Sequence, residues 1–322
     1  MSKLGSQSEK QQVSGRRFFD RLPTTITKPV RVLAWLVFIT QVLIVGTGGA
    51  VRLTGSGLGC NTWPKCTDDS FVTTPEMGIH GAIEFGNRTL FFLLEIIAIL
   101  AFIYVWRLRK ERKDLFWLTL IPSFSVFFQA ILGGITVLTH LNPYVVGLHY
   151  FVSVVLVVLG ALLVYRVYEA PGPRKLRVGT PLLQTGWIMM VLGTITIALG
   201  IITTGAGPHA GDGGAARNGL EPEILQHFHA WPAYTLFAFT LLAIFLAHRA
   251  RVLPVRNFAI GTLLVMVLQI IVGIAQARNA LPPVLVGIHM VLATVLAAGL
   301  VMTVVSMYGR TANTRPLDAA TA

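Results

Sequence analysis

Residues 129–156 read QAILGGITVLTHLNPYVVGLHYFVSVVL, and residues 269–296 read QIIVGIAQARNALPPVLVGIHMVLATVL. The two stretches align without a gap at an offset of 140 residues. Their identical pairs include Gln129/Gln269, Ile131/Ile271, Gly133/Gly273, Pro143/Pro283, Val146/Val286, Gly147/Gly287, His149/His289, Val155/Val295 and Leu156/Leu296. So many matches within one window indicate an internal repeat.

A second match extends the repeat. Thr54-Gly55-Ser56-Gly57 corresponds to Thr204-Gly205-Ala206-Gly207 at an offset of 150 residues, because the first outer loop is longer. The chain therefore divides into two similar halves. In chain order, we predict a basic tail (1–31), a first half (32–166), a linker (167–181), a second half (182–308) and a C-terminal tail (309–322).

The composition excludes a soluble protein. Of the 322 residues, 54% are hydrophobic and 12% are charged, whereas soluble domains carry about 25% charged residues. The net charge is +12, but the basic residues lie in short clusters between long apolar runs. This distribution argues against a nucleic-acid binder, a coiled coil and a disordered chain.

Apolar runs of about 20 residues are long enough to cross a bilayer as helices. Eight such runs lie near 32–53, 82–106, 115–138, 144–166, 182–204, 223–247, 257–277 and 284–308. The prediction is an all-α integral membrane protein with eight transmembrane helices. With four spans in each repeat, the halves form two four-helix bundles side by side, related by a pseudo-two-fold axis along the membrane normal.

The distribution of cations predicts the orientation. Of 26 Lys and Arg residues, 21 lie in the tails and in the loops that share one side of the membrane. Because Lys and Arg in short loops stay on the cytoplasmic side, both termini are expected to be cytoplasmic in the cell membrane. The other loops then face outward.

Three histidines lie at the outer ends of predicted spans: His149 in the fourth, His229 in the sixth and His289 in the eighth. His229 and His289 therefore lie at similar depth on two helices, as in four-helix bundles that hold a heme between two imidazoles. The alternative is a core histidine hydrogen-bonded to a carbonyl. Gly147 and Gly287 either let a flat ring approach or simply pack helices.

His227 lies about 200° around the helix from His229, so the two cannot face one iron ion. We interpret His227 either as support for the ring or its propionates or as an outward-facing interfacial residue.

The second span differs from the sixth. Its polar residues share one helical face: His80, Glu84, Asn87 and Arg88. Aligning Glu84-x-x-Asn87 with Gln226-x-x-His229 places an asparagine at the position of a histidine ligand. The first half then offers His149 alone. Glu84 is either an ion-pair partner of Arg88 or a carboxylate placed for proton transfer or for stabilising positive charge, and these readings are compatible.

Cys60 and Cys66 are the only cysteines, and both lie in the first outer loop. On an oxidising face they can pair as a structural disulfide or act as a redox-active thiol pair.

Taken together, these motifs resemble the heme A synthase family over residues 32–308. The resemblance rests on Thr54-Gly55-Ser56-Gly57 followed by Gly59-Cys60-x-x-Trp63-Pro64-x-Cys66, on Ile83-Glu84-Phe85-Gly86-Asn87-Arg88, on Gly-Leu-His and Gly-Ile-His at His149 and His289, and on Leu225-Gln226-x-x-His229.

The resemblance implies an enzyme that oxidises the C8 methyl group of heme O to a formyl group by successive hydroxylation, giving heme A for terminal oxidases. It implies a cofactor heme b held by His229 and His289 in the second half, and a first half that receives heme O near Glu84. It also implies a disulfide between Cys60 and Cys66.

The chain departs from the family pattern at Asn87, where members with Glu-x-x-His carry a histidine. His149 is then the one ligand of the substrate heme that carries over, with Asn87 and Arg88 beside it and His80 as a speculative substitute.

The implied surroundings are heme O and membrane lipid, with no nucleic acid. The sequence does not name the electron acceptor, and it leaves open docking on heme O synthase and assembly into a homo-oligomer. Two other classes compete with the enzyme. A membrane di-heme b-type electron-transfer protein usually has two complete histidine pairs, and a transporter is expected to show broken helices and polar groups near mid-membrane.

Overall fold

The computed structural model describes residues 20–310. The predicted tails fall largely outside these described residues, including the cations Lys3, Lys10, Arg16, Arg17 and Arg315. Eight helices of the described part are long and apolar enough to cross a membrane. They are α1 (Lys28–Leu53), α2 (Gly78–Val105), α3 (Lys113–Leu138), α4 (Pro143–Arg166), α5 (Thr180–Ala206), α6 (Pro222–Arg249), α7 (Leu253–Arg278) and α8 (Pro283–Val305).

Proline marks where most of these helices begin. Six of them have Pro in the first two positions: α1, α4, α5, α6, α7 and α8. At those positions the missing N–H has no intrahelical partner to lose, and the fixed φ angle is already helical. At α4 the Asn142 side chain also accepts a hydrogen bond from the Tyr144 N–H. The spans therefore start close to where the sequence pattern predicts.

The helices pack as two four-helix groups. In the first half α1 contacts α2, α2 contacts α3, α3 contacts α4, and α4 returns to α1; α5 to α8 repeat this closed order. The halves meet where α8 packs against α1 and α4 and where α4 packs against α5. The prediction of an all-α, eight-span, multi-pass membrane protein is thus confirmed.

Small residues let the two halves approach closely. A Cβ atom at Gly46 would lie 3.6 Å from Val291, and one at Gly49 would lie 3.9 Å from the Met290 methyl group. Nearby, the Tyr150 hydroxyl donates to the Met290 carbonyl at 2.7 Å. Such close packing and interhelical hydrogen bonds hold helices together in lipid, where burial of apolar surface contributes little.

A two-stranded antiparallel sheet on the side where α4 and α8 end was not predicted. Strand β1 (Arg174–Leu176) lies in the linker, and β2 (Tyr308–Arg310) follows α8. The eighth span was predicted to reach residue 308, but the helix ends at Val305 because the chain turns to pair with β1. This pairing joins residues more than 130 positions apart, which local sequence patterns do not encode.

Charges surround this sheet. Asp114 accepts hydrogen bonds from Arg112, Arg174 and Arg310, and Glu169 pairs with Arg166. Partial burial, and then the nearby Arg166 and Arg310, lower the pKa of Arg174. The network connects the first half to the linker and to the end of α8.

The opposite side of the membrane domain is also closed across the two halves. Arg52 at the end of α1 donates to the carbonyls of Thr204 at 3.0 Å and His209 at 2.7 Å. The Gly57 N–H donates to the Gly211 carbonyl at 2.8 Å. The first outer loop is therefore fixed to the loop that follows α5.

Candidate functional site

Two imidazoles face each other in the second half. His229 on α6 and His289 on α8 have ring centres 6.2 Å apart with planes inclined by 74°. The His229 Nδ1–H donates to the Thr196 carbonyl on α5 at 2.9 Å, which leaves Nε2 free. Because imidazole nitrogen binds metal at about 2.0–2.1 Å, two ligands on opposite sides of one ion place their ring centres about 6 Å apart. The spacing suits a single metal ion between the rings.

Glycines on neighbouring helices make room for these rings. A Cβ atom at Gly200 of α5 would lie 2.9 Å from His229 Cε1, and one at Gly273 of α7 would lie 3.4 Å from His289 Cε1. His289 Nδ1 is buried near the Gln269 carbonyl but has no hydrogen-bond partner of good geometry among the described residues. Neighbouring helices therefore pack against both rings, and the two imidazoles fit the donor set that would hold a heme iron.

The equivalent imidazole of the first half is His149 on α4. A Cβ atom at Gly133 of α3 would lie 3.3 Å from its Cε1. Its Nδ1 is likewise buried without a hydrogen-bond partner among the described residues. Gly133 and Gly273 are equivalent in the repeat, so both halves support this histidine in the same way.

In the first half, Asn87 of α2 lies at the position that corresponds to His229 in the repeat alignment. Its side-chain Oδ1 accepts a hydrogen bond from the Thr47 hydroxyl on α1 at 2.8 Å. His80, two turns away along α2, hydrogen-bonds through Nδ1 to the Ser56 hydroxyl at 2.9 Å. His80 is thus engaged with the outer loop, and the structure does not pair it with His149.

Glu84 is buried and fully engaged. Its Oε2 accepts from the Cys60 N–H at 2.6 Å, and its Oε1 accepts from Arg88 Nη2 at 2.5 Å and Nε at 3.1 Å. Arg88 also donates to the carbonyls of Cys60, Thr62 and Lys65 at 3.0–3.1 Å. The ion pair predicted as one reading is therefore present, and it anchors the outer loop to α2.

The anchored loop is closed by a disulfide between Cys60 and Cys66. Both cysteines are completely buried. The Trp63 indole between them packs directly against Gly134 of α3, where any side chain would collide with it. The loop is thus held by a covalent bond, a charged pair and an aromatic contact, all on the first half.

The remaining histidines are elsewhere. His227 is exposed on α6 and makes no side-chain hydrogen bond with any described residue. His140 and His248 are also exposed. His209 hydrogen-bonds to the Leu281 carbonyl at 2.8 Å and so joins the loop after α5 to the loop after α7.

Several residues that shape the site were not predicted from the sequence. They are Thr47, Ser56, Gln129, Ser153 and Thr196, each of which hydrogen-bonds to a candidate residue or its backbone. A signal existed for Gln129, which is repeated as Gln269, and for Ser56, which lies in the Thr54-Gly55-Ser56-Gly57 motif. The others are Thr and Ser residues, which occur throughout the spans and carry no distinguishing spacing.

The chain is similar in sequence to known proteins. Residues 31–303 match the COX15-CtaA family model, described as a cytochrome oxidase assembly protein. A heme A synthase of Listeria welshimeri is 31% identical over 159 residues, covering 48% of this chain and 52% of that protein. One from Shouchella clausii is 28% identical over 149 residues, covering 46% and 49%.

A heme A synthase of Halalkalibacterium halodurans is 26% identical over 147 residues, covering 45% of this chain and 49% of that protein. The aligned part spans about half the length of these curated relatives. The family model, in contrast, extends from α1 to the end of α8. The chain belongs to the COX15-CtaA family of cytochrome oxidase assembly proteins.

Proposed function

We propose that this protein is a heme A synthase, which oxidises the C8 methyl group of heme O to a formyl group. The overall change, methyl plus water to formyl, releases four electrons and four protons. An enzyme for it needs a place for the porphyrin, a group that takes protons, and a route for electrons. The two halves divide these tasks.

The observation that carries the proposal is the unequal supply of imidazoles. His229 and His289 converge from α6 and α8, whereas the matching place in the first half has His149 and, on α2, an asparagine bound to Thr47. Two imidazoles suit a permanent cofactor, and a single imidazole suits a substrate that must enter and leave. The named heme A synthases among the relatives support the same assignment.

The second half would hold heme b through His229 and His289. When bound, heme b supplies one-electron redox chemistry. The protein's part is to fix the two rings: the Thr196 carbonyl holds Nδ1 of His229, so Nε2 faces the ligand position. His227 is exposed and is proposed only as a contact for a propionate.

The first half would hold heme O through His149, with Asn87 and Arg88 nearby. Glu84 is the candidate proton acceptor and the group that stabilises positive charge developing at the methyl carbon. Its three donors, the Cys60 N–H and two Arg88 nitrogens, keep the carboxyl group in place. His80 is proposed only as a further substrate contact, because its Nδ1 is hydrogen-bonded to Ser56.

The proposed setting is the cell membrane, with both termini cytoplasmic and both heme sites toward the outer leaflet. The described cations support this orientation, because Arg112, Arg166, Arg174 and Arg310 cluster on the side opposite the disulfide loop. Heme O synthase as a docking partner, a homo-oligomer and a separate electron acceptor belong to the same proposal.

The test is to express the chain in a host that makes heme O but has no heme A, and to extract the noncovalent hemes for chromatography with mass detection. Hydroxylated heme O or heme A, absent from cells with the empty vector, is the expected product. Heme b alone, in cells that supply heme O and a functional respiratory chain, would contradict the synthase and favour a b-type electron carrier.

A further inference from the structure

A polar network in the first half ends on the proposed ligand. Gln129 lies on α3 one turn before Gly133, the glycine against which the His149 ring packs. Its side-chain Nε2 donates to the His149 carbonyl at 3.1 Å and to the Ser153 hydroxyl at 2.7 Å. Ser153 in turn donates to the same carbonyl at 3.0 Å. Donors from two helices therefore meet on the backbone of one residue.

The repeat does not reproduce this network in the second half. Gln129 has its counterpart in Gln269, but the position of Ser153 is occupied by Ala293. Among the described residues, no side-chain hydrogen bond joins Gln269 to His289 or to Ala293. The network is thus specific to the half that lacks a second histidine.

We infer that Gln129 and Ser153 are positioning residues that hold His149 in its binding orientation for a heme substrate; this rests on the proposed function. A cofactor bound by two imidazoles helps to orient both of its ligands. A lone ligand that must meet an incoming substrate has no such help, so the protein has to order it beforehand. The hydrogen bonds to the His149 carbonyl fix the helix position from which the ring projects.

The experiment uses the purified full-length chain with its heme b bound, and heme O as the titrant. The dissociation constant is read from the change in the Soret band, and heme b is quantified separately by extraction. We expect Ser153→Ala, which installs the second-half residue, to weaken heme O binding about threefold. Gln129→Leu removes both amide bonds and should weaken it about tenfold.

Two further readouts separate positioning from general damage. Ser153→Thr keeps the hydroxyl and should restore near-normal heme O affinity. In turnover, KM for heme O should rise while kcat at saturating heme O and the heme b content stay unchanged, because only the binding orientation is affected.

Matched controls exist in the same chain. Thr194→Ala removes a hydroxyl bonded only to the Met190 carbonyl of its own helix, and Ala293→Ser adds a hydroxyl to the second half. Neither should change heme O affinity. Unchanged affinity in both Ser153→Ala and Gln129→Leu, or an equal loss of heme b in them, would overturn the inference while wild-type conversion still supported the synthase. A wild-type protein that neither binds nor converts heme O would instead refute the proposed function itself.

Discussion

The two halves of the molecule share a histidine at one candidate ligand position and differ at the second position. Both place an imidazole on their last helix, His149 on α4 and His289 on α8, against equivalent glycines of the preceding helix. On the second helix of each half, α6 carries His229 whereas α2 carries Asn87. The scaffold is thus repeated, and the difference in candidate ligands lies on the second helix of each half.

The loops that follow the first helix of each half are also held by different interactions. In the first half, Glu84 and Arg88 hold a disulfide-closed loop through a buried ion pair. In the second half, the loop after α5 is held by Arg217 and Asn218 through hydrogen bonds to main-chain carbonyls. Ionisable residues within a membrane span are energetically costly, and they commonly mark functional sites. In the proposed function, the second half binds the cofactor and the first half binds and oxidises the substrate.

The largest expected effect concerns the complete histidine pair. His229→Ala and His289→Ala each remove one of the two proposed ligands of heme b, so heme b should be lost almost entirely from the purified protein. The measurement is heme b content and the low-spin absorption spectrum. His248→Ala, at an exposed position at the far end of α6, should retain normal heme b. A full complement of low-spin heme b in both ligand variants would break the assignment.

A second test addresses Glu84, whose counterpart in the second half is Gln226. Glu84→Gln keeps the size of the side chain but removes its charge, so conversion of heme O should fall about 100-fold with heme b content unchanged. The measurement is kcat for heme O in detergent-solubilised enzyme. Glu76→Gln, at an exposed position just before α2, serves as the control and should convert heme O normally. Wild-type turnover in Glu84→Gln would leave Glu84 only its anchoring role.

A third test makes the halves alike. Asn87→His gives α2 the residue that α6 carries, so the first half should bind heme with two imidazoles and at least about tenfold more tightly. Titration should then show a second low-spin heme per chain. Asn87→Ala loses the Thr47 hydrogen bond without adding a ligand and should show no second low-spin signal. If Asn87→His also lacked one, Asn87 would not occupy the position of His229.

The sequence predicted the eight spans and the repeat because hydrophobic length and periodicity are local properties. It misplaced some ends. The second span was predicted from residue 82, but α2 begins at Gly78. Its first turn contains two glycines and His80, which hydrogen-bonds to Ser56, so the continuous apolar pattern starts later than the helix. The β1–β2 pair was missed because three-residue strands depend on a distant partner.

Within the candidate site, the sequence identified the ionisable residues but not what holds them. His229 and His289 could be chosen from their depth, whereas the Thr196 carbonyl that orients His229 has no sequence signature. The Glu84–Arg88 spacing predicted an ion pair, yet its attachment to the Cys60 backbone required the folded loop. The roles of these residues in binding and reaction remain predictions that the experiments above test.

The smallest expected effect lies at the contact between the halves. Tyr150 and Met290 each follow one of the two equivalent histidines of the repeat, His149 and His289. The Tyr150 hydroxyl donates to the Met290 carbonyl. Tyr150→Phe removes this single bond, which in membrane proteins contributes about 0.6 kcal/mol on average and up to ~1.7 kcal/mol.

Thermal unfolding of the heme b-loaded protein in detergent measures this loss as a lower midpoint temperature, with Tyr144→Phe, an exposed tyrosine of the same helix, as the control. If the two variants unfold at the same temperature, the bond does not hold the halves together. If Tyr150→Phe alone is less stable but retains heme b, the contact stabilises the arrangement of the halves without orienting the candidate heme ligands. The chemical difference between the halves then depends on residues within each half and not on the contact between them.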